Sequence, residues 1–314
     1  EVDFVPHLSI LVALLAAVVC IAMMIYFIHH ISVTIQVQSI LERVHDDLSA
    51  LVDAVFPEDL AQPLETPEHL ADEAAVAAAL EGQQASALRA KKPGYLQAVR
   101  SDRLLDFAVE QGLVLELQVQ PGAFLLRGEM ICRAFSKTEL SEELADALLA
   151  CFVFGRFPTS EQDMLFPIKQ LAEMAIRALS PGINDPHTAI ECVDYLATSL
   201  CAVAGRSFPS PYRADAAGEL RVITPVHTFE EILRVAFQQI HHYGREDVNV
   251  VSRIFLALQK IGADASLDGA RRDVLAGFTK ELLAKSESCA SCEGDREQIR
   301  QAYQAAAKVH LQAV

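Results

Sequence analysis

Positive charge is scarce in this chain. Against 42 Asp and Glu stand only 26 Lys and Arg in 314 residues, a net charge of −16. Such a balance repels phosphate backbones, so no nucleic acid is expected as a partner. Catalytic signatures are missing too. No HExxH, GxSxG, P-loop or GxGxxG run occurs, which lowers the case for an enzyme without excluding one. A disulfide framework is also absent. The cysteines (20, 132, 151, 192, 201, 289 and 292) are odd in number and mostly sit in apolar surroundings, as small hydrophobes of a reducing compartment do. Cys289-Ala-Ser-Cys292 is a CxxC without a second pair, so neither a zinc site nor a redox centre is expected there. No metal and no cofactor is expected anywhere.

Charge is absent altogether from Leu8 to Ile28, "LSILVALLAAVVCIAMMIYFI". At about 1.5 Å per residue such a run crosses a hydrocarbon core of roughly 30 Å. It lacks the basic n-region and small-residue cleavage site of a signal peptide. The lipid bilayer is therefore the first expected partner. The first basic residue is Arg43, which points to a cytoplasmic location for everything beyond about residue 45. The chain opens at Glu1 without an initiator methionine, so either a leading piece has been removed or the N-terminus lies upstream.

From His29 to Phe56 there is neither Gly nor Pro, so the helix is expected to run on beyond the membrane. Val37, Leu41, Val44, Leu48, Leu51 and Val55 recur at spacings of four and three. That is the seam of a coiled coil and predicts a homo-oligomer; one face of a helix packed on its own domain gives the same pattern.

Residues 58–93, rich in Ala, Glu and Gln with several prolines, read as a linker that can hold a short helix. Strand-like runs follow at 94–99, 113–119, 123–135 and 151–157, bounded by Gly and Pro, with "QPGAF" as a turn. Helices are expected from Asp102 to Gln111 and from Ser141 to about Ala150. From residue 159 the chain reads as helical. Capping boxes stand at Thr159–Gln162 and Thr228–Glu231. The expected fold class is thus an α+β membrane protein. A transmembrane helix continues into a juxtamembrane helix (1–57). Then come the linker (58–93), a small β-barrel or sandwich-like module (94–158) and an all-α domain (159–314).

One corner stands out, "ALSPGINDPHTA" at 178–189. Pro181-Gly182 stops one helix, Asp185 is an N-cap candidate and Pro186 fits the first position of the next helix. Capping explains all of this except Asn184 and His187. An anion is not expected here, because the Asp185 carboxylate would already hold the free amides. A cation or a subunit contact suits the residues better.

"FIHHISVTIQV", "GYLQAV", "VQPGAFLLRGE" and "FPTSEQD" leading into "QLAEMAIRALSPGINDPHTAIECVDYL" resemble a large bacterial family of predicted membrane proteins, the domain of unknown function 2254. The resemblance covers essentially the whole chain. Its specific run is Ser180, Pro181, Gly182, Ile183, Asn184, Asp185 and Pro186. It implies a multi-pass protein of the bacterial cytoplasmic membrane, with Leu8–Ile28 the last of several spans, and it implies no activity. At Phe157-Pro158 the chain departs from the basic residue the family tends to carry, which puts any charged role there in doubt.

"QVQPGAFLLRGEMI" also resembles half of a biotinyl carrier barrel, but no Lys lies between Lys92 and Lys137 to carry the group. Adjacent histidines on a helix point about 100° apart, so neither His29-His30 nor His241-His242 chelates a metal by itself. His29 and His30 could sense pH at the membrane interface, and His241-His242 suit a helix C-terminus. The functional expectation is an oligomeric channel-like, transport or membrane-sensor assembly. The alternatives are a membrane-tethered metal-dependent hydrolase using Asp185, His187 and Asp163, and an adaptor for other proteins.

Overall fold

The computed structural model describes residues 7–34, 37–55, 73–264 and 266–311. By their contacts they form two units, Glu1–Val44 and His45–Val314.

Helix α1 (His7–Thr34) contains Leu8–Ile28, the one stretch among the described residues long and apolar enough to cross a membrane. Its apolar side chains are exposed all round, Leu8 by 76% and Tyr26 by 69%. A helix with no polar face suits a hydrocarbon surround. His29 and His30 fall within α1, but their side chains lie outside the described residues.

Helix α2 (Val37–Val55) is strongly two-sided. Leu41, Val44, Leu48 and Leu51 of the expected seam are buried, and so is Val52. The side chains of Val37 and Val55 lie outside the described residues. Polar contacts fix the C-terminal half of α2. His45 Nδ1 lies 3.2 Å from Ser199 Oγ, and its ring is 5.0 Å from that of Tyr195. Arg206 donates to the Val52 carbonyl at 3.2 Å and pairs with Asp53 at 2.6 Å.

After α3 (Glu73–Leu80) come strands β1 (Gln84–Arg89) and β2 (Gly94–Val99), helix α4 (Ser101–Gln111), and strands β3 (Val114–Leu117), β4 (Phe124–Leu125) and β5 (Met130–Ser136). Helix α5 (Glu142–Leu149) and strand β6 (Phe152–Gly155) complete this stretch. The expected barrel does not form. The strands make two open sheets, β1-β5-β3-β8-β7 and β4-β2-β6, with β7 (Tyr212–Ala214) and β8 (Leu220–Ile223) arriving from much later in the chain. Their inner faces share one core with α4 and α5, built on Leu96, Leu104, Leu115, Ile131, Leu148 and Phe152.

Two boundaries expected from the sequence shift. Strand β1 lies inside the expected linker and pairs with β5 from Gln84↔Ser136 onward. The region after residue 159 is not all-α, because β8 pairs in parallel with β3, Leu115 opposite Val222. The remainder is helical: α6 (Leu165–Ala178), α7 (Pro186–Ala204), α8 (Phe229–Gly244), α9 (Val248–Gly262), α10 (Gly269–Glu287) and α11 (Glu293–Leu311). Helix α6 packs on α7 and α8, and α9 on α7 and α11. Helix α6 buries Leu165, Ile168, Leu171 and Ala175, the helical spacing of its apolar stripe.

The first capping box is not used. Pro167 is the cause: a helix begun at Ser160 would hold this proline in its interior, whereas one begun at Leu165 keeps it in the first turn. Gln162 is put to another purpose. Its side chain accepts from the Val99 amide at 2.9 Å and donates to the Val99 carbonyl at 3.1 Å, extending the end of β2. The second box forms, with Thr228 accepting from the Glu231 amide at 3.1 Å.

Candidate functional site

The corner between α6 and α7 is a compact hydrogen-bonded turn. The Ser180 carbonyl accepts from Ile183 and Asn184, and the Asp185 amide donates back to Ala178. Asn184 has φ +51°, the one non-glycine residue with positive φ among those described. Asn tolerates the left-handed region better than most residues, so the backbone itself accounts for Asn184. Asp185 caps α7, accepting from the Thr188 amide at 3.2 Å and its hydroxyl at 2.6 Å. Those two bonds hold its carboxyl below the usual range. Pro181, Gly182 and Ile183 are exposed, and Pro186 opens α7. His187 is 80% exposed and lies 3.5 Å from Glu191, one turn on.

Asp163 sits elsewhere in the bonding pattern. It is buried, accepts from the Leu165 amide at 2.9 Å, and has Lys169 as a cationic neighbour. Burial pushes its carboxyl up. Gly122 of the "QPGAF" turn, at φ +92°, backs onto this carboxylate so closely that a Cβ would overlap it. The turn thus packs directly against Asp163, just ahead of α6. No hydrogen bond or ion pair among the described residues joins Asp163 to Asp185 or His187. No group of three or more His, Cys, Asp or Glu is placed to hold a metal ion among the described residues.

The thiols are quiet. Burial pushes Cys132 and Cys192 up to about 12, which leaves both protonated at neutral pH. Cys292 Sγ accepts from the Asp295 amide at 3.4 Å at the start of α11, a capping contact.

A site that the sequence did not reveal lies where α4, β3 and β8 meet the segments before α6 and α8. It is a cavity of about 320 Å³. Leu104, Leu117, Met164 and Val222 give it buried apolar walls, and Arg213 and His227 bring cationic and titratable groups to it. Arg213 is held by β7, paired opposite Val222. Its guanidinium donates to the carbonyls of Ser210 and Tyr212. No carboxylate lies within ion-pair distance of it among the described residues, and burial pulls its pKa down. His227 Nδ1 lies 2.9 Å from Glu231. An apolar cavity with a few convergent polar groups is the usual form of a small-molecule site. A half-buried guanidinium bonded only to carbonyls keeps donors and charge for an anionic group.

The segment that carries Arg213 also reaches α2. Arg206 clamps α2 through Val52 and Asp53, and Pro209 and Arg213 line the cavity. Between them, Arg271 of α10 donates to the carbonyls of Ala204 and Arg206 at 2.9 and 2.8 Å and stacks on Phe208 at 4.6 Å.

No solved structure matches the chain. Among curated proteins, it is 31% identical over 275 residues to uncharacterized proteins of Mycobacterium tuberculosis (strains CDC 1551 and H37Rv) and Mycobacterium bovis. The aligned part is 86% of this chain and 50% of each relative, so the chain spans about half the length of the curated relatives it matches. The family model described as "Predicted membrane protein (DUF2254)" matches residues 1–260, and the chain belongs to that family.

Proposed function

We propose that this protein is a membrane sensor. Its ligand is a small amphipathic anion that places an apolar body in the cavity and a carboxylate on Arg213. The carrying observation is the half-buried guanidinium, bonded only to carbonyls, in an apolar cavity of about 320 Å³. Of the three roles expected from the sequence, sensing is the one this cavity supports. The link to the membrane is residues 205–213, one short segment that both lines the cavity and clamps the end of α2. In sequence, α2 follows the candidate membrane span.

The test uses the full chain in lipid nanodiscs, with hexanoate as probe and hexanamide as its neutral control. Hexanoate should raise the melting temperature saturably and hexanamide should not. Arg213→Gln should abolish the hexanoate effect while keeping the fold. Hydrogen exchange at the C-terminal half of α2 should slow on hexanoate binding in the wild type. Equal shifts for the acid and the amide, or for wild type and Arg213→Gln, would refute the anion site. Binding without any change in α2 exchange would refute the sensor.

A further inference from the structure

A second concave site lies on the helical region, along α6, α8 and α10. It is an open groove of about 800 Å³, and its walls carry Lys169, Arg234, His241, His242, Arg245 and Lys285. Glu173 is the one acidic residue lining it, and Glu173 is engaged by Arg177 at 3.4 Å. Two of the cations are neutralised from outside the lining. Arg234 pairs with Glu230 and Glu281, both at 2.9 Å, and Lys285 pairs with Glu281 at 2.6 Å. Lys169 and Arg245 have no carboxylate within ion-pair distance among the described residues.

That is an unexpected distribution in a chain with 42 acidic and 26 basic residues. Acidic groups are in excess, yet one groove keeps two cations outside any ion pair among the described residues. His241 forms part of the wall. Its Nε2 is committed to Ser286 Oγ at 2.7 Å, so the ring has no N–H left for an anion and serves as wall alone. Two cations without a carboxylate in ion-pair distance, Lys169 and Arg245, on the wall of one groove favour an anion with more than one charge. The groove's size leaves room for a body beyond the charged end.

We propose that this groove binds a phosphoryl-bearing ligand whose anionic end carries at least two charges and is held by Lys169 and Arg245. The site is separate from the Arg213 cavity and does not depend on the sensor reading. Its phosphoryl group could belong to a soluble molecule or to an anionic lipid headgroup, and the test separates the two.

Pyrophosphate is titrated by calorimetry, at constant ionic strength and without divalent metal, into the full chain in zwitterionic nanodiscs. Saturable binding is expected. The double variant Lys169→Gln/Arg245→Gln should weaken it at least tenfold, and Lys169→Gln alone several-fold, which keeps the test alive should the double variant melt early. Lys280→Gln/Lys308→Gln, at exposed positions on α10 and α11, should leave it unchanged. The titration is then repeated in nanodiscs containing an anionic phospholipid. A several-fold loss of pyrophosphate affinity in the wild type, absent from the Lys169 variant, assigns the site to headgroups. Unchanged affinity assigns it to a soluble ligand. No saturable binding in either disc, or binding by the double variant equal to that of the wild type, would overturn the proposal.

Discussion

Mild acid should destabilise this protein through one residue, His241. The imidazole is 2% exposed and sits in α8 against α10. Ser286 Oγ donates to the Leu282 carbonyl at 2.8 Å, so it must accept from His241, which sets the proton on Nε2. A second proton would enter a buried ring. Burial, with Lys285, Arg245 and His242 close by and Glu281 opposing them, pulls the His241 pKa from 6.5 to about 4. The folded state therefore resists a proton that the unfolded state accepts. Above pH 6.5 the effect is nil. It grows as pH falls below the unfolded value and is complete below the folded one. At pH 5 the linkage amounts to about 2 kcal/mol, or roughly 4–8 °C in melting temperature for a domain of this size. Asp163 acts in the opposite sense: its raised pKa makes the folded state the better proton acceptor, so acid favours folding there. Comparing wild type with His241→Gln cancels that term, since Gln can donate to Ser286 and does not titrate. The fall in melting temperature between pH 7 and pH 5 should be several degrees larger in the wild type. Equal falls would mean that His241 reaches water when folded, and the burial argument would be wrong.

Three other outcomes follow from single contacts. Asp185→Ala should cost about 1 kcal/mol through loss of the α7 cap, read by thermal melting, with His187→Ala close to neutral; a larger loss at His187 would point to a role beyond its Glu191 contact. Asp185 has a lowered pKa, so its contribution is present above the ordinary carboxylate value and fades as pH falls through the lowered one. Gly122→Ala should cost about 2 kcal/mol or more, because it combines a strained positive φ with overlap on the buried Asp163 carboxylate, and the double variant Gly122→Ala/Asp163→Ala should recover part of the loss; no recovery would place the strain in the turn alone. Leu48→Asp puts a charge at a position with no exposure and should lower the melting temperature sharply while leaving the particle mass in detergent at the wild-type value; a wild-type oligomer that falls apart at unchanged stability would put the stripe of α2 between subunits.

How much of this was legible depends on where each signal was stored. Strand β2 is legible at its full extent, because Leu96 and Ala98 alternate with Tyr95 and Gln97 between a glycine and a charged stretch. Helix α7 was legible for the same local reason, a capping Asp185 followed by Pro186. Strand β1 was not. Its "QASALR" buries Leu88 alone and carries little β propensity, so only its pairing with β5 makes it a strand. The hairpin of β7 and β8 does carry a local signal. Leu220 and Val222 are buried in alternation, and Asp215 closes the turn by accepting from Ala217 and Glu219 at 2.9 and 3.0 Å. The Thr159 box is a local pattern that Pro167, eight residues on, overrides. The cavity could not have been read at all. Its lining is drawn from residues 99–105, 117–121, 162–164 and 209–227, and what joins them is the parallel pairing of β3 with β8, a contact across more than a hundred residues that leaves no local trace.

The same long-range pairing explains why Arg213 is held without a carboxylate. Strand β7 is the edge of the five-stranded sheet and only three residues long. It is set by β8 on one side and by the anchored segment after α7 on the other. Arg271 holds the carbonyls of Ala204 and Arg206, so the segment leaves α7 in one direction. Arg206 is then tied to α2, and Arg213 turns its guanidinium back on the carbonyls of Ser210 and Tyr212. Those carbonyls satisfy donors without neutralising the charge. A charge kept half-buried and uncompensated costs stability, whereas Asp215 two residues on has spent its carboxylate on Arg221 at 2.8 Å. Had charge balance been the only requirement, the short hairpin offered a nearby acid for Arg213. It is directed to Arg221 instead, and the cavity keeps the cation.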